Sequence, residues 1–500
     1  MPRFVDKIVS GLNFCTTYYK EFEMRRRYVL VLMGFLGFAI VYGMRVNLSV
    51  AMIAMVNSTA IRIEDNGTDI NNECTSSISP LSNSSSSFLP DGPFDWDEET
   101  QGFILSSFFY GYFVTQIPGG RMAEIMGGKL IFGIGVFLTA IFTIITPWVA
   151  KLDFYLLIVV RILGGLSEGV TFPAMHAMLS QWAPPLERSR MSAFTYTGAQ
   201  LGTVISEPLS GFLISELGWE WVFIIFGSLG IFWFIFWLYL IHDSPMSHPK
   251  ITEDEREYIL SEIQGLERVK NPPKSTPWKA IFTSLPFWSL LVVQVANNWS
   301  FYTLLTETPL YLNSILHFNI KANAILSGLP YLINVIIAII SSMIADRLIS
   351  DGHLSTTHVR KLFNSLAFVI PALSLIALGF VGCNAVLAVF FIVITIGVSG
   401  CNSSGFKVNH IDIASNYAGT LMGISNSVAN ITGIIVPSLA GIILNRHNNL
   451  EHWRIVFLMA SASYLIGNTV FVLFGSGKEQ PWNHAQIEDE QYMVDEEKDE

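Results

Sequence analysis

Arg45, Arg161 and Glu168 each stand inside an otherwise apolar run of the sequence. A guanidinium is a permanent cation whose planar fork suits a carboxylate or phosphate. A carboxyl group in apolar surroundings is easily switched, because desolvation raises its pKa and a neighbouring guanidinium lowers it. Together the three point to a site that binds an anion and exchanges a proton. The alternative is a static Arg–Glu pair that ties two segments together. One carboxylate cannot neutralise two arginines, however, and the surplus positive charge favours an anionic ligand. His176 could titrate near neutral pH or simply pack between helices. Glu207, beside Pro208, is a second titratable candidate or faces water. Glu307 is expected to be solvated, and Lys407 to snorkel from the end of its run. Tyr42, Tyr112, Tyr196 and Tyr302 are candidates to line a cavity.

The elements that must position these groups follow from composition. Of 500 residues, 51% are hydrophobic and 14% charged, against roughly 25% charged in soluble domains. From Leu362 to Phe406, 45 residues pass without Asp, Glu, Lys or Arg, and Ile413 to Leu444 adds another 32. About 20 apolar residues span a bilayer. A soluble enzyme, a nucleic-acid binder and a disordered protein are thereby excluded. Twelve apolar runs are legible, at 28–56, 101–120, 130–149, 153–180, 191–215, 219–241, 284–310, 322–344, 361–381, 384–406, 413–442 and 453–475. In hydrocarbon the backbone must satisfy its own hydrogen bonds, so each is predicted helical. The first run is too long for a cleaved signal peptide.

Lys and Arg concentrate in alternate loops. Six precede the first run, six lie in 242–283, and only Arg62 lies in the loop after the first run. This places both termini in the cytosol. That first loop, 57–100, also carries three glycosylation sequons, at Asn57, Asn66 and Asn83, as expected of a lumenal or extracellular face. With this orientation, Arg45 lies 17 residues outward of Tyr28 and Arg161 lies 19 residues outward of Ser180. The two guanidiniums therefore differ in depth by about 3 Å. Arg161 and Glu168 share one helix face.

The expected organisation is a cytosolic segment 1–27, a six-helix bundle 28–241, a cytosolic linker 242–283, a second bundle 284–475 and an acidic, disordered tail 476–500. The segment from Gly119 to Lys129 after the second helix is matched by Ala345 to Gly352 after the eighth. Such paired halves commonly hold a transport site between them. Cys74 and Cys383 fall on one non-cytosolic side and could form a disulfide. No Cys-x-x-Cys pair exists, so no metal is expected.

The segments Tyr42-Gly-Met-Arg-Val-Asn-Leu-Ser-Val50, Phe172-Pro-Ala-Met-His-Ala177, Trp182-Ala-Pro-Pro-Leu-Glu-Arg-Ser189 and Asn409-His-Ile-Asp-Ile-Ala414 resemble the anion/cation symporter branch, solute carrier family 17, of the major facilitator superfamily. The resemblance covers about 30–480. It implies an all-α integral membrane protein of twelve helices, in two bundles related by pseudo-two-fold symmetry. It implies that Arg45 and Arg161 bind the substrate anion, that Glu168 couples the proton, and that His176, Tyr42, Tyr112, Tyr196 and Tyr302 line the cavity or serve the cycle. Asn298 joins them as a candidate binding residue. The branch's sialic-acid carrier has a second Glu where this chain has Gly164, so Glu207 is a possible substitute. Its glutamate carriers have His and Arg where this chain has Leu105 and Asn298.

The function expected is proton-coupled symport of an organic anion (sialic acid, related acidic sugars or acidic amino acids) by alternating access. Sodium-driven phosphate cotransport is the first alternative, and a non-transporting receptor or scaffold the second. No covalent chemistry, no cofactor beyond the co-transported ion and no nucleic-acid partner are expected. The protein is expected to act as a monomer in the lysosomal or plasma membrane, its partners being the anion and the bilayer.

Overall fold

A computed structural model describes residues 25–56, 92–96, 98–263, 275–316, 320–444 and 449–483. The first half contains α1 (Arg26–Met55), α2 (Glu98–Met126), α3 (Gly128–Leu152), α4 (Phe154–Glu168), α5 (Thr171–Trp182), α6 (Arg188–Leu217) and α7 (Trp219–Leu240). Two short helices follow, α8 (Glu253–Ile263) and α9 (Trp278–Thr283). The second half contains α10 (Leu285–Ser314), α11 (Ile320–Ser350), α12 (Thr356–Phe380), α13 (Ala385–Val398), α14 (Phe406–Ile413), α15 (Ala418–Asn430), α16 (Thr432–Leu444) and α17 (Leu450–Phe474). Helices α4–α5, α13–α14 and α15–α16 are broken spans, so each of the twelve apolar runs is helical. The breaks fall beside polar side chains, where freed backbone groups can find partners.

Nine spans among the described residues are long and apolar enough to cross a membrane. The other three, α2, α6 and α10, have 29, 30 and 30 residues and a more polar composition. Two of these, α2 and α6, form the seam between the halves, α2 against α15 and α6 against α11. The third, α10, presents its amide side chains to α15. Polarity thus marks one helix of each seam pair, α2 and α6, while their partners α15 and α11 are among the apolar spans.

Within the first bundle α1 packs on α6, α2 on α4, and α3 on α7; in the second, α17 packs on α10 and α12. The α2–α4 contact depends on reciprocal glycines. A Cβ on Gly111 would overlap the carbonyl oxygen of Ile162, and one on Gly165 that of Phe108. Small residues permit such backbone approach, which is how helices associate where no hydrophobic force separates protein from lipid. Gly165→Val is therefore expected to push α4 away from α2. Its effect on detergent-solubilised protein is a loss of roughly 2 kcal/mol, in the range for overpacking, read as a lower melting temperature.

At the end of the molecule bearing α8, Arg27 is 1% exposed and bonds Glu187 at 2.9 Å and Glu255 at 3.2 Å. Glu255 also accepts from the backbone N–H groups of Arg26 and Arg27, capping α1. This docks the linker helix on the first bundle. Burial alone would raise the Glu187 carboxyl, but its bonds to Arg27 and the nearby Arg190 hold it below the ordinary carboxylate range. A depressed carboxyl stabilises above its unfolded pKa and loses that contribution as pH falls through the folded value. The clamp is therefore expected to hold at neutral pH and to loosen in acid.

The expected tail begins later than 476. Gln480 N–H donates to the Ile413 carbonyl at 2.8 Å, and Asn483 bonds the Asn416 backbone and side chain at 3.0 and 2.9 Å. Trp482 is buried near Tyr417. Residues 476–483 are thus part of the packed structure, because a buried Trp and two amide bonds outweigh the polarity around them. The rest of the tail, the 1–24 segment and the sequons at Asn57, Asn66 and Asn83 lie outside the described residues. Cys383 is disulfide-bonded, and its expected partner Cys74 also lies outside them.

Candidate functional site

Arg45 projects from α1 and Glu168 ends α4, where the helix breaks. Oε1 of Glu168 accepts from Arg45 Nε at 2.7 Å and also from Arg45 Nη2. The guanidinium lies 4.4 Å from the Tyr42 ring, 4.6 Å from Tyr112 and 5.1 Å from Phe108. Three ring faces stabilise the cation without neutralising it. Glu168 is fully buried, yet its second oxygen, Oε2, has no partner among the described residues.

Arg161, two turns before Glu168, stands 5.1 Å from the same Phe108 ring. Both guanidiniums thus lie against one ring. Arg161 has no hydrogen-bond or ion-pair partner among the described residues, and its Nε is buried. Beside it is a small void lined by Thr139, Thr143, Phe108 and Gly164. A Cβ on Gly164 would meet only the Phe142 Cβ, at 4.0 Å. The position has room for a side chain. Gly164→Glu is therefore expected to fold and to set a carboxylate one turn from Arg161. That added charge is expected to weaken anion binding about tenfold, the scale of one charged hydrogen bond, as measured by competition with labelled substrate.

The opposite wall is made of amides. Asn426 on α15 donates to Gln116 at 2.6 Å and to the Tyr112 hydroxyl at 3.5 Å, and accepts from Gln294 at 3.1 Å. Tyr302 donates to Asn430 at 2.6 Å, and its ring lies against Gly433, where a Cβ would clash. Asn298 receives a 3.4 Å bond from its neighbour Asn297, which in turn accepts from Asn402 at 2.9 Å. Tyr112 joins the amide wall to the arginine, so two of the tyrosines, Tyr42 and Tyr112, belong with Arg45.

Tyr196 does not. Its hydroxyl lies 2.5 Å from His176 Nδ1, and its ring stacks on His176 and Phe172. His176 Nε2 reaches across the seam to the Lys407 carbonyl at 3.2 Å, with the His410 ring 5.5 Å away. His176 thus bridges the bundles towards the α8 end. Glu207 is exposed, and it makes no hydrogen bond or ion pair among the described residues. Glu307, expected in solvent, is 6% exposed and accepts from Thr306 at 2.9 Å. The end of α10 is covered by neighbouring helices, which position along the helix could not reveal.

A further cluster closes the α8 end. Asp412 accepts from Arg188 at 2.9 Å and from Arg360 at 2.6 Å. Asp346, ending α11, accepts from the Ser189 and Arg190 backbone N–H groups at 3.1 and 2.9 Å, capping α6 of the other bundle. Glu124, ending α2, accepts from Thr420 N–H and hydroxyl at 2.6 and 2.7 Å, capping α15. In both cases a carboxylate meets the positive end of a helix across the seam. The internal repeat contains Glu124 and Asp346 at its two copies. It was the available signal for these caps, though it assigned them no role.

Two six-span bundles, a partly buried arginine pair within the first of them and an ionic seal at one end define a membrane carrier. The comparisons agree. The family model of the Major Facilitator Superfamily matches residues 34–437. Human sialin is 46% identical over 456 residues, 91% of this chain and 90% of sialin. A Drosophila melanogaster protein described as a putative inorganic phosphate cotransporter is 41% identical, covering 93% of this chain and 87% of that one. The solved structure of the proton:xylose symporter XylE aligns with a TM-score of 0.68 at 13% identity, over 90% of this chain and 97% of that one. The chain belongs to the major facilitator superfamily, whose members are transporters rather than enzymes.

Proposed function

We propose that this protein carries a small organic anion, sialic acid or a related acidic sugar, together with a proton by alternating access. The observation that carries this is Arg161, a cation with no ion-pair partner among the described residues, beside an Arg45–Glu168 pair that a proton can open. A carboxylate entering the seam docks on Arg161. Protonation of Glu168 frees Arg45, which then completes the anion clamp. The substrate carboxylate then offsets one of the two guanidinium charges, and the loaded bundles can rock past each other. The amide wall on α10 and α15 offers donors and acceptors for hydroxyl groups. The α8 end is the cytosolic one, consistent with its excess of Lys and Arg, and the sealed state then faces away from the cytosol. One chain is the working unit. The likeness to human sialin supports the substrate class, and Glu168 as the mid-height carboxylate supports the proton.

Reconstituted vesicles loaded with buffer and offered labelled sialic acid test this. Uptake driven by acid on the substrate side is the expected result. Uptake that follows an imposed sodium gradient instead would place the protein with the phosphate cotransporters. No flux of any organic or inorganic anion would sink the carrier function altogether.

A further inference from the structure

Lys407 opens the first turn of α14 next to the seam. Its carbonyl is the point at which His176 of the first bundle and His410 of its own helix converge, each at 3.2 Å. Ile411, one turn further on the same face, packs in the apolar core of the first bundle. The helix face that bears Lys407 is therefore turned towards the other bundle. The Cα–Cβ bonds of a helix lean towards its N-terminus, which for α14 is the mid-height side and not the α8 end. The side chain is only partly exposed. No hydrogen bond or ion pair of its ammonium group is present among the described residues, and the nearby histidines offer no negative charge.

The snorkelling expected for this lysine needs an open path to water at the α8 end. That end is occupied by Asp412 with Arg188 and Arg360, by Ile413 and by residues 476–483. The formal charges along the seam can then be summed. Arg45, Arg161 and Lys407 are cations, and Glu168 is the only acid that pairs with any of them among the described residues, since Asp412, Asp346 and Glu124 are all committed to the seal. With Glu168 protonated, as in the loaded carrier proposed above, all three positive charges remain uncompensated. A monoanion leaves two of them bare and a dianion one, and a buried unpaired charge is strongly unfavourable.

We infer that Lys407 is a specificity-determining residue, and that the preferred cargo is a small dianion, a dicarboxylate or a phosphomonoester without a compensating ammonium group. One acidic group meets the arginine pair and the second meets Lys407 from the opposite bundle. This rests on the anion-carrier function proposed above and shifts its preferred substrate from a monoanionic sugar acid to a dianion.

The test compares matched probes for inhibition of labelled sialic-acid uptake into vesicles: glutarate against its monoamide, and glycerol 3-phosphate against its methyl ester. In the parent protein each dianion is expected to inhibit at about one-tenth the concentration of its monoanionic partner, the scale of one charged hydrogen bond. In Lys407→Gln the ratio is expected to fall to near one, and in Lys407→Arg to be kept. The ratio is read within each variant, so differences in expression cancel. A preference for only one dianion class identifies the second group as carboxylate or phosphate and supports the inference. A parent ratio near one, or a ratio unchanged in Lys407→Gln, overturns it while leaving acid-driven monoanion uptake standing. Loss of all flux in both variants also overturns it, since Lys407 would then be structural. Absence of sialic-acid uptake in the parent marks failure of the underlying function instead, which direct uptake of labelled glutarate checks separately.

Discussion

Replacing Glu168 with Gln is expected to abolish acid-driven accumulation while leaving exchange of anion for anion across the vesicle membrane. The glutamine keeps the shape but cannot take up a proton, so the pH gradient has no group to act on. It also removes the only negative charge that contacts Arg45 among the described residues. Breaking a buried ion pair by removing one partner costs about 3–5 kcal/mol. Here a bound substrate carboxylate can replace the lost one, so the penalty falls on the empty carrier. The anion should therefore bind more tightly and leave more slowly, and net uptake should fall by at least roughly a hundredfold, given tenfold per 1.4 kcal/mol. Arg45→Lys would act in the opposite sense. It keeps the charge but loses the fork and the flat stacking among Tyr42, Phe108 and Tyr112, so binding itself weakens. Counterflow and gradient-driven uptake measured on the same vesicles separate the two. If full acid dependence survived in Glu168→Gln, coupling would have to be reassigned, with Glu207 the first candidate.

Asp412→Asn is expected to unseal the α8 end. Arg188 and Arg360 are 8% and 1% exposed and share this one carboxylate. Neutralising it leaves two buried guanidiniums facing each other, and the strain is relieved by separating the bundles there. Taking about 3 kcal/mol for the lost pairing, the equilibrium between the sealed and opened states shifts by roughly a hundredfold. Spin labels on Gln181 of the first bundle and His353 of the second would report the change as a longer distance in Asp412→Asn than in the parent. Asp412→Glu should restore much of the short-distance population. An unchanged distribution in Asp412→Asn would show that the two helix caps, Asp346 on α6 and Glu124 on α15, hold the seal without Asp412.

The twelve spans were legible because hydrocarbon forces every crossing segment to be helical and leaves a run of apolar residues as its trace. The matching depth expected of Arg45 and Arg161 came from the fixed rise of a helix, and in the structure both guanidiniums lie 5.1 Å from the Phe108 ring. Tyr42 beside Arg45, three residues apart on α1, was likewise a matter of local spacing. The start of the packed C-terminal segment was misjudged, since the contacts that hold Gln480, Trp482 and Asn483 are made with residues some 65 positions earlier.

The amino-acid sequence by itself determined that this is a twelve-span membrane protein with two cations and one carboxylate inside otherwise apolar helices. Only the tertiary structure decided that Glu168 takes Arg45 and leaves Arg161 free, that Tyr196 serves His176 rather than the arginines, and that Asp412, Asp346 and Glu124 seal one end. Each of these depends on how far a helix is rotated about its axis and which distant helix it meets. Periodicity along one helix records which face is polar, but it carries no information about the partner that face will find.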